Sequence, residues 1–303
     1  MKNILITGAA GFIGSNLALA LQVKYPDAYI VGIDDFSSGD YKNLQGFKGE
    51  IAAFDMSNPI VLTYFSGIKW DYVIHLASIT DTTVTNQKEM IYTNVEGFRN
   101  ALILAEHAKA PVLFASSCAV YGKRDTILEE EDKLAPVNVY GFSKVQLENL
   151  AANFHKMTGL PVCGLRFSNI YGLNEGGKFK SASMIYQIIE QYTRYERCHL
   201  FKDGNQKRDW FYIGDLISLI LNCMETQANG IYNAGSGVSY SFNELSGKIA
   251  FYLKKKPEIC YLENPYQGAY QEFTQTCMEK VRHELKWVPR YILDTALKEM
   301  ICP

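Results

Sequence analysis

Residues 3–16 read Asn3-Ile4-Leu5-Ile6-Thr7-Gly8-Ala9-Ala10-Gly11-Phe12-Ile13-Gly14-Ser15-Asn16, and this stretch decides the fold. Its first five residues form a short apolar run, the pattern of a buried strand, which meets a glycine cluster that marks a tight turn. Residues 13–23 then carry helical periodicity. Gly8, Gly11 and Gly14 therefore stand as G-x-x-G-x-x-G between a strand and a helix. Glycines there allow the tight turn and let a pyrophosphate approach bare backbone. The helix N-terminus adds N–H donors and a partial positive charge. Asp34 follows Gly14 by twenty residues, at the end of a second β-rich run from Tyr29 to Ile33. A carboxylate at that point accepts hydrogen bonds from the ribose hydroxyls of a dinucleotide.

Further along, the same alternation repeats. Trp70 to Leu76, Pro111 to Ala115 and Val162 to Arg166 read as strands. Asn94 to Glu106 and a stretch from about Asn138 past Ala152 read as helices between them. Repeated strand–helix units predict a parallel sheet, and the continuous apolar runs predict strands buried on both faces. The expected fold is α/β: a Rossmann-type doubly wound parallel sheet with a smaller C-terminal α/β lobe that binds substrate. After about residue 168 the rhythm changes, with Gly and Lys crowding residues 172–180, a helix from Ser183, and one more helix and strand over 211–233. The sequence thus divides into a cofactor domain, 1–167 plus about 211–233, and a substrate lobe, 168–210 and 234–303.

Asp34 favours NAD over NADP, because a carboxylate repels a 2′-phosphate; Ser37, Ser38 and Lys42 follow in the same loop and offer phosphate contacts if Asp34 turns away. The cofactor set read from this half is Gly8, Gly11, Phe12, Ile13, Gly14, Asp34, Asp35, Phe36 and Lys42. Asp55 reads either as an acceptor for the adenine amino group or as a helix N-cap before Asn58-Pro59.

Tyr140 and Lys144 form Y-x-x-x-K, which on a helix projects both side chains from one face. A tyrosine with a pKa near 10 is a poor base at neutral pH, and a nearby ammonium and a positive nicotinamide ring favour its phenolate. Tyr140 then exchanges a proton with a substrate hydroxyl while hydride passes to or from the nicotinamide, and Lys144 also holds the nicotinamide ribose. Ser117 sits at the C-terminal end of a strand, where ligands of open α/β sheets bind, and orients the same oxygen.

The bulk properties exclude other classes. The 303 residues are 48% hydrophobic with a net charge of −2, and no block of like charge is long enough for a nucleic-acid arm. Lys254-Lys255-Lys256 reads as a solvated loop. Seven scattered cysteines without a C-x-x-C pair fit free thiols in a reducing compartment. The five histidines lack metal-ligand spacing, and Cys198-His199 alone does not build a tetrahedral site, so no metal is expected. The N-terminus lacks a signal-peptide pattern, and no apolar run reaches the roughly 18–20 residues that span a bilayer, so a cytoplasmic protein without membrane or nucleic-acid partners is expected.

These features resemble the extended short-chain dehydrogenase/reductases, the group of sugar-nucleotide epimerases and dehydratases. The motifs are the Gly8–Gly14 turn, His75-Leu76-Ala77-Ser78, Asn94, Ser117, Tyr140 with Lys144, and Arg166-Phe167-Ser168-Asn169-Ile170-Tyr171-Gly172. The resemblance spans the chain. It implies bound NAD or NADP, a nucleotide-activated sugar as substrate, a homo-oligomer, and cofactor contacts from Leu76, Ala77, Ser78, Asn94 and Ile170. Within the group, Glu175-Gly176-Gly177-Lys178, Lys207-Arg208-Asp209-Trp210-Phe211 and Tyr270-Gln271-Glu272-Phe273-Thr274-Gln275 resemble the ADP-glycero-manno-heptose 6-epimerases. That likeness implies Lys178 as a second acid/base beside Tyr140. It also implies that Ser117, Asn169, Lys178, Lys180, Arg208 and Tyr270 hold substrate. Leu173-Asn174, Ser168 and Gln187 depart from the pattern in the substrate lobe. A nucleotide-hexose 4-epimerase and a net sugar reductase are the alternatives. A 4,6-dehydratase needs an acid pair after the serine, where this chain has Cys118 and Ala119.

Overall fold

A computed structural model describes residues 2–81, 86–176, 182–263 and 271–302. Its strands are β1 Asn3–Thr7, β2 Tyr29–Asp34, β3 Glu50–Ala53, β4 Tyr72–His75, β5 Val112–Ser117, β6 Val162–Phe167, β7 Asn169–Tyr171, β8 Cys198–Phe201, β9 Lys207–Tyr212, β10 Gly230–Ala234, β11 Ser239–Ser241 and β12 Ile259–Leu262. The helices are α1 Phe12–Lys24, α2 Ile60–Phe65, α3 Gln87–Ala108, α4 Val139–Thr158, α5 Met184–Tyr195, α6 Ile213–Thr226, α7 Phe242–Tyr252, α8 Glu279–Leu285 and α9 Leu293–Ile301.

Seven parallel strands form the main sheet in the order β10-β6-β5-β4-β1-β2-β3. The order reverses between β1 and β4, which makes the topological switch point where α/β sheets bind ligands. Alternate residues of each strand enter different cores, as the two-residue period of a strand requires. Ile4, Ile6, Ile74, Leu113 and Leu165 belong to one core, and Leu5, Val73, Val112, Phe114 and Val162 to another. The first core includes residues of α1 and α6 and runs on into the C-terminal elements through Ile185, Leu200 and Trp210; the second takes residues of α3 and α4. The sheet is therefore buried on both faces, as its apolar runs predicted.

The expected elements are present, with shifted ends. α3 starts at Gln87, capped by Asn86, rather than at Asn94. α4 is capped by Asn138, whose side chain accepts the Gly141 N–H, and it ends at Gly159 in the left-handed conformation. β3 and α2 have weak patterns and went unread; β3, at the sheet edge, is only partly buried. The smaller sheets comprise β11-β9-β7 and β12-β8. β9 extends to Tyr212, and the chain returns to the main sheet through α6 and β10 from Ile213 onward. Among the described residues, no helix is long and apolar enough to cross a membrane.

Candidate active site at the switch point

The glycine turn joins β1 to α1 at the C-terminal end of the sheet. Gly8 has φ +71°, and a Cβ there would lie 2.7 Å from the Ala77 N. A Cβ on Gly14 would lie 2.0 Å from the Gly8 carbonyl oxygen. Both positions therefore exclude any side chain, one through conformation and contact, the other through contact alone. Gly11 caps α1 with no side-chain hydrogen bond, and the first turn holds no acid. Its backbone N–H groups are thus oriented for an anion, and the crowded glycines let a diphosphate reach them. Phe12 is buried in the core and Ile13 packs against it, so these two contribute backbone to the turn. These residues fit a dinucleotide.

Asp34 is buried at the end of β2. Its Oδ2 accepts the Ala10 N–H at 2.8 Å and its Oδ1 accepts the Phe36 N–H at 2.8 Å. Burial pushes its carboxyl above the usual range, against the pull of those backbone bonds. The side chain thus locks the glycine turn to the loop after β2 and keeps lone pairs for a ribose. Asp35 accepts from the N–H and hydroxyl of Ser37, which ties that serine down. Phe36 stands at φ +57°, and Lys42 lies exposed in a short 3-10 turn, Tyr41–Leu44. Asp55 does not cap α2, whose N-cap is Pro59. Its carboxylate instead accepts the Ser57 N–H and hydroxyl, each at 2.8 Å, in the preceding turn.

The loop after β4 meets the glycine turn. Thr7 ties them together: its carbonyl accepts the Leu76 N–H and its hydroxyl accepts the Ala77 N–H, while the same hydroxyl pairs with His75 Nδ1 at 2.9 Å. The Ser78 hydroxyl turns onto the Ile79 carbonyl. Desolvation, with Lys144 nearby, holds His75 down at about 3, so the ring is neutral. Asn94 lies at this loop as well. Its Oδ1 accepts the Ile79 N–H, and its Nδ2 donates to the Ile79 carbonyl and to the Ser143 hydroxyl. Its amide is committed to joining this loop to α4.

β5 ends at Ser117, whose side chain accepts the Ala119 N–H at the start of the 3-10 turn Cys118–Tyr121. Tyr140 and Lys144 lie in the first turns of α4. The Lys144 Nζ sits 5.6 Å from the centre of the Tyr140 ring and donates to the Ala115 carbonyl at 2.9 Å. Burial pushes Tyr140 up to about 12, opposed by a hydrogen-bonding contact from Ser117. Burial alone brings Lys144 down to about 7. The expected trio is therefore assembled from two elements separated by a crossover.

That buried lysine has a thermodynamic signature. Its folded-state pKa lies below the unfolded value near 10.4, so between about pH 7 and 10 the unfolded chain binds the extra proton and stability rises with pH. Cofactor-free wild-type protein should gain on Lys144→Met by about 1 kcal/mol per pH unit above pH 7. Urea unfolding of both proteins from pH 6 to 9 checks this; a gap that stays flat would mean that Lys144 titrates normally.

On the substrate side, β7 pairs with β9 so that Asn169 lies beside Trp210 and Ile170 beside Phe211. Arg208 is buried on β9 with its guanidinium 5.7 Å from the Phe242 ring centre and one N–H on the Lys207 carbonyl. Asp209, given no role by the sequence, anchors this strand. Its Oδ1 accepts the Ser236 N–H and hydroxyl, and its Oδ2 accepts the Gly237 N–H and the Thr276 N–H and hydroxyl. Glu175 accepts the Ser183 N–H and hydroxyl at the start of α5. Lys178, Lys180 and Tyr270 lie outside the described residues. Cys118 is buried, and desolvation raises its thiol far above the ordinary range, so this position after Ser117 supplies no acid or base near neutral pH.

The similarities agree with this geometry. The chain matches a Helicobacter pylori structure of ADP-L-glycero-D-manno-heptose-6-epimerase at 36% identity and TM-score 0.92, over 99% of this chain and 95% of the other. It matches UDP-glucose 4-epimerase from Thermotoga maritima at 25% identity and TM-score 0.92, over 99% and 97%. It matches UDP-N-acetylglucosamine 4-epimerase from Methanobrevibacter ruminantium M1 at 26% identity and TM-score 0.89, over 99% and 97%. The model of the NAD dependent epimerase/dehydratase family matches residues 4–235. With the glycine turn, the Ser117–Tyr140–Lys144 trio and that match together, the chain belongs to the NAD dependent epimerase/dehydratase family.

Proposed function

We propose that this protein is an ADP-glycero-manno-heptose 6-epimerase. The observation that carries this reading is the 36% identity to the heptose epimerase over 99% of the chain, against 25% and 26% to the two 4-epimerases. Residues 1–167 with about 211–233 hold the dinucleotide, and 168–210 with 234–303 hold the sugar nucleotide. NAD, or NADP, when bound takes a hydride from the sugar carbon and returns it, so the reaction is redox-neutral overall. Gly8, Gly11 and Gly14 admit the diphosphate, Asp34 receives the ribose, and Lys144 holds the nicotinamide ribose. Ser117 orients the substrate hydroxyl and Tyr140 takes its proton. When the ketone is presented on its other face, Lys178 serves as the second acid/base. Arg208 suits the substrate diphosphate, with Asn169, Lys180 and Tyr270 beside it. We place the protein in the cytoplasm as a homo-oligomer, in keeping with its seven free cysteines.

A nucleotide-hexose 4-epimerase is the second reading, favoured by the equal TM-score of the UDP-glucose enzyme. Purified protein incubated with ADP-D-glycero-D-manno-heptose and followed by proton NMR decides between them. Appearance of the L-glycero epimer without net nicotinamide change is expected. Absence of conversion with NAD and with NADP rejects the heptose substrate, and UDP-hexoses follow in the same assay. Lys178→Ala sharpens the distinction: it should lower 6-epimerase turnover by about 100-fold or more, the scale of one acid/base group. A 4-epimerase would stay largely active.

A further inference from the structure

One helical turn beyond Lys144 on α4 lies a buried ion pair, Glu148 with Arg166. Glu148 follows Lys144 by one helical turn on α4, and its carboxylate accepts three bonds. They come from the Ser116 hydroxyl at 2.6 Å and from Arg166 Nε and Nη2 at 2.9 and 2.8 Å. Both side chains are nearly inaccessible, at 5% and 7%. Arg166 stands beside Ser116 in the β5–β6 register, and its Nη1 donates to the Tyr121 hydroxyl and the Glu130 carbonyl. Tyr121 donates in turn to Asn233, which holds the carbonyls of Leu128 and Cys277.

A buried pair of this kind is weak evidence for stability, since apolar side chains of the same volume often serve as well or better. Its geometry offers another reason. α4 touches β5 through two consecutive polar links, Lys144 to the Ala115 carbonyl and Glu148 to the Ser116 hydroxyl, immediately before Ser117. A bidentate pair fixes both distance and orientation, which dispersion contacts between a helix and a strand do not. We propose that Glu148 and Arg166 are positioning residues whose ion pair sets how α4 seats on β5, and thereby how Tyr140 and Lys144 meet Ser117. This rests on the reading of Tyr140, Lys144 and Ser117 as the reacting set.

The test is the double variant Glu148→Leu/Arg166→Met, which removes the pair without stranding a buried charge. The expected result is a folded protein that retains dinucleotide and has KM within threefold of wild type, with kcat reduced about 10- to 100-fold by small misplacement of the reacting groups. In cofactor-stripped protein, the Lys144 titration read by NMR of carbon-labelled lysine should move up by about one pH unit as its packing loosens. Wild-type kcat in the folded double variant, or an unmoved Lys144, overturns the proposal. If the wild-type enzyme turns over no nucleotide sugar, the proposed function fails, and the Lys144 titration still decides on positioning. Should the double variant not fold, Ser116→Ala decides instead. A three- to tenfold loss of kcat with an upward Lys144 shift supports the proposal; wild-type values of both overturn it.

Discussion

Tyr140→Phe is expected to lower epimerase turnover about 1,000-fold while leaving fold and cofactor content near wild type. The phenol ring stays, so α4 keeps its packing, and Ser117 keeps the Ala119 N–H that its hydroxyl already accepts. What is lost is the oxygen that, in the proposed mechanism, exchanges a proton with the sugar. In the cofactor-free protein that oxygen is a poor base, since burial holds Tyr140 up at about 12. Lys144, at about 7, is only partly charged at neutral pH. A bound positive nicotinamide ring would add the missing charge and favour the phenolate. The measurement is single-turnover kinetics with thermal unfolding alongside. Activity within tenfold of wild type would assign the proton transfer to another group. Lower activity accompanied by loss of cofactor would mean that the hydroxyl serves binding.

Gly14→Ala is expected to damage both cofactor retention and stability. The new Cβ would lie 2.0 Å from the Gly8 carbonyl oxygen, a backbone atom that cannot move without opening the turn. Overpacking of this kind costs about 1–3 kcal/mol. Because the same turn is the one proposed to hold the diphosphate, the displacement should also weaken dinucleotide binding by about 10- to 100-fold, at 1.4 kcal/mol per decade. Gly11→Ala is the control. Its Cβ would meet the Gly8 oxygen at 3.3 Å, which asks for a shift of only a few tenths of an ångström. Gly11→Ala should therefore lower cofactor occupancy with a much smaller loss of stability. Calorimetry of binding and thermal unfolding separate the two; equal behaviour of both variants would undo the distinction between turn packing and phosphate approach.

The parallel sheet was legible because strands buried on both faces must be apolar throughout, as Ile4 to Ile6 and Val112 to Phe114 are. The glycine turn was legible because two of its backbone positions accept no side chain. Tyr140 and Lys144 were legible because four residues on a helix bring two side chains together without help from the rest of the chain. The edge strand β3 was not, since half-buried strands carry little pattern.

Roles that depend on distant partners were hidden. Asn94 reads as a cofactor contact, and the structure adds that its amide also joins Ile79 to Ser143 on α4. Asp55 reads either as an adenine contact or as a helix cap, and its carboxylate closes the turn before α2 rather than capping it. For Glu148, only the register of β5 against β6 brings Ser116 and Arg166 to it. Asp209 lies beside Arg208 in sequence, but its partners come from residues 236–237 and 276. Local geometry, fixed by backbone sterics and helical or strand period, is written in neighbouring residues, and the sequence alone determined the fold class and the Ser117–Tyr140–Lys144 set. Which buried polar group satisfies which depends on elements far apart in the chain, and only the tertiary structure decided it.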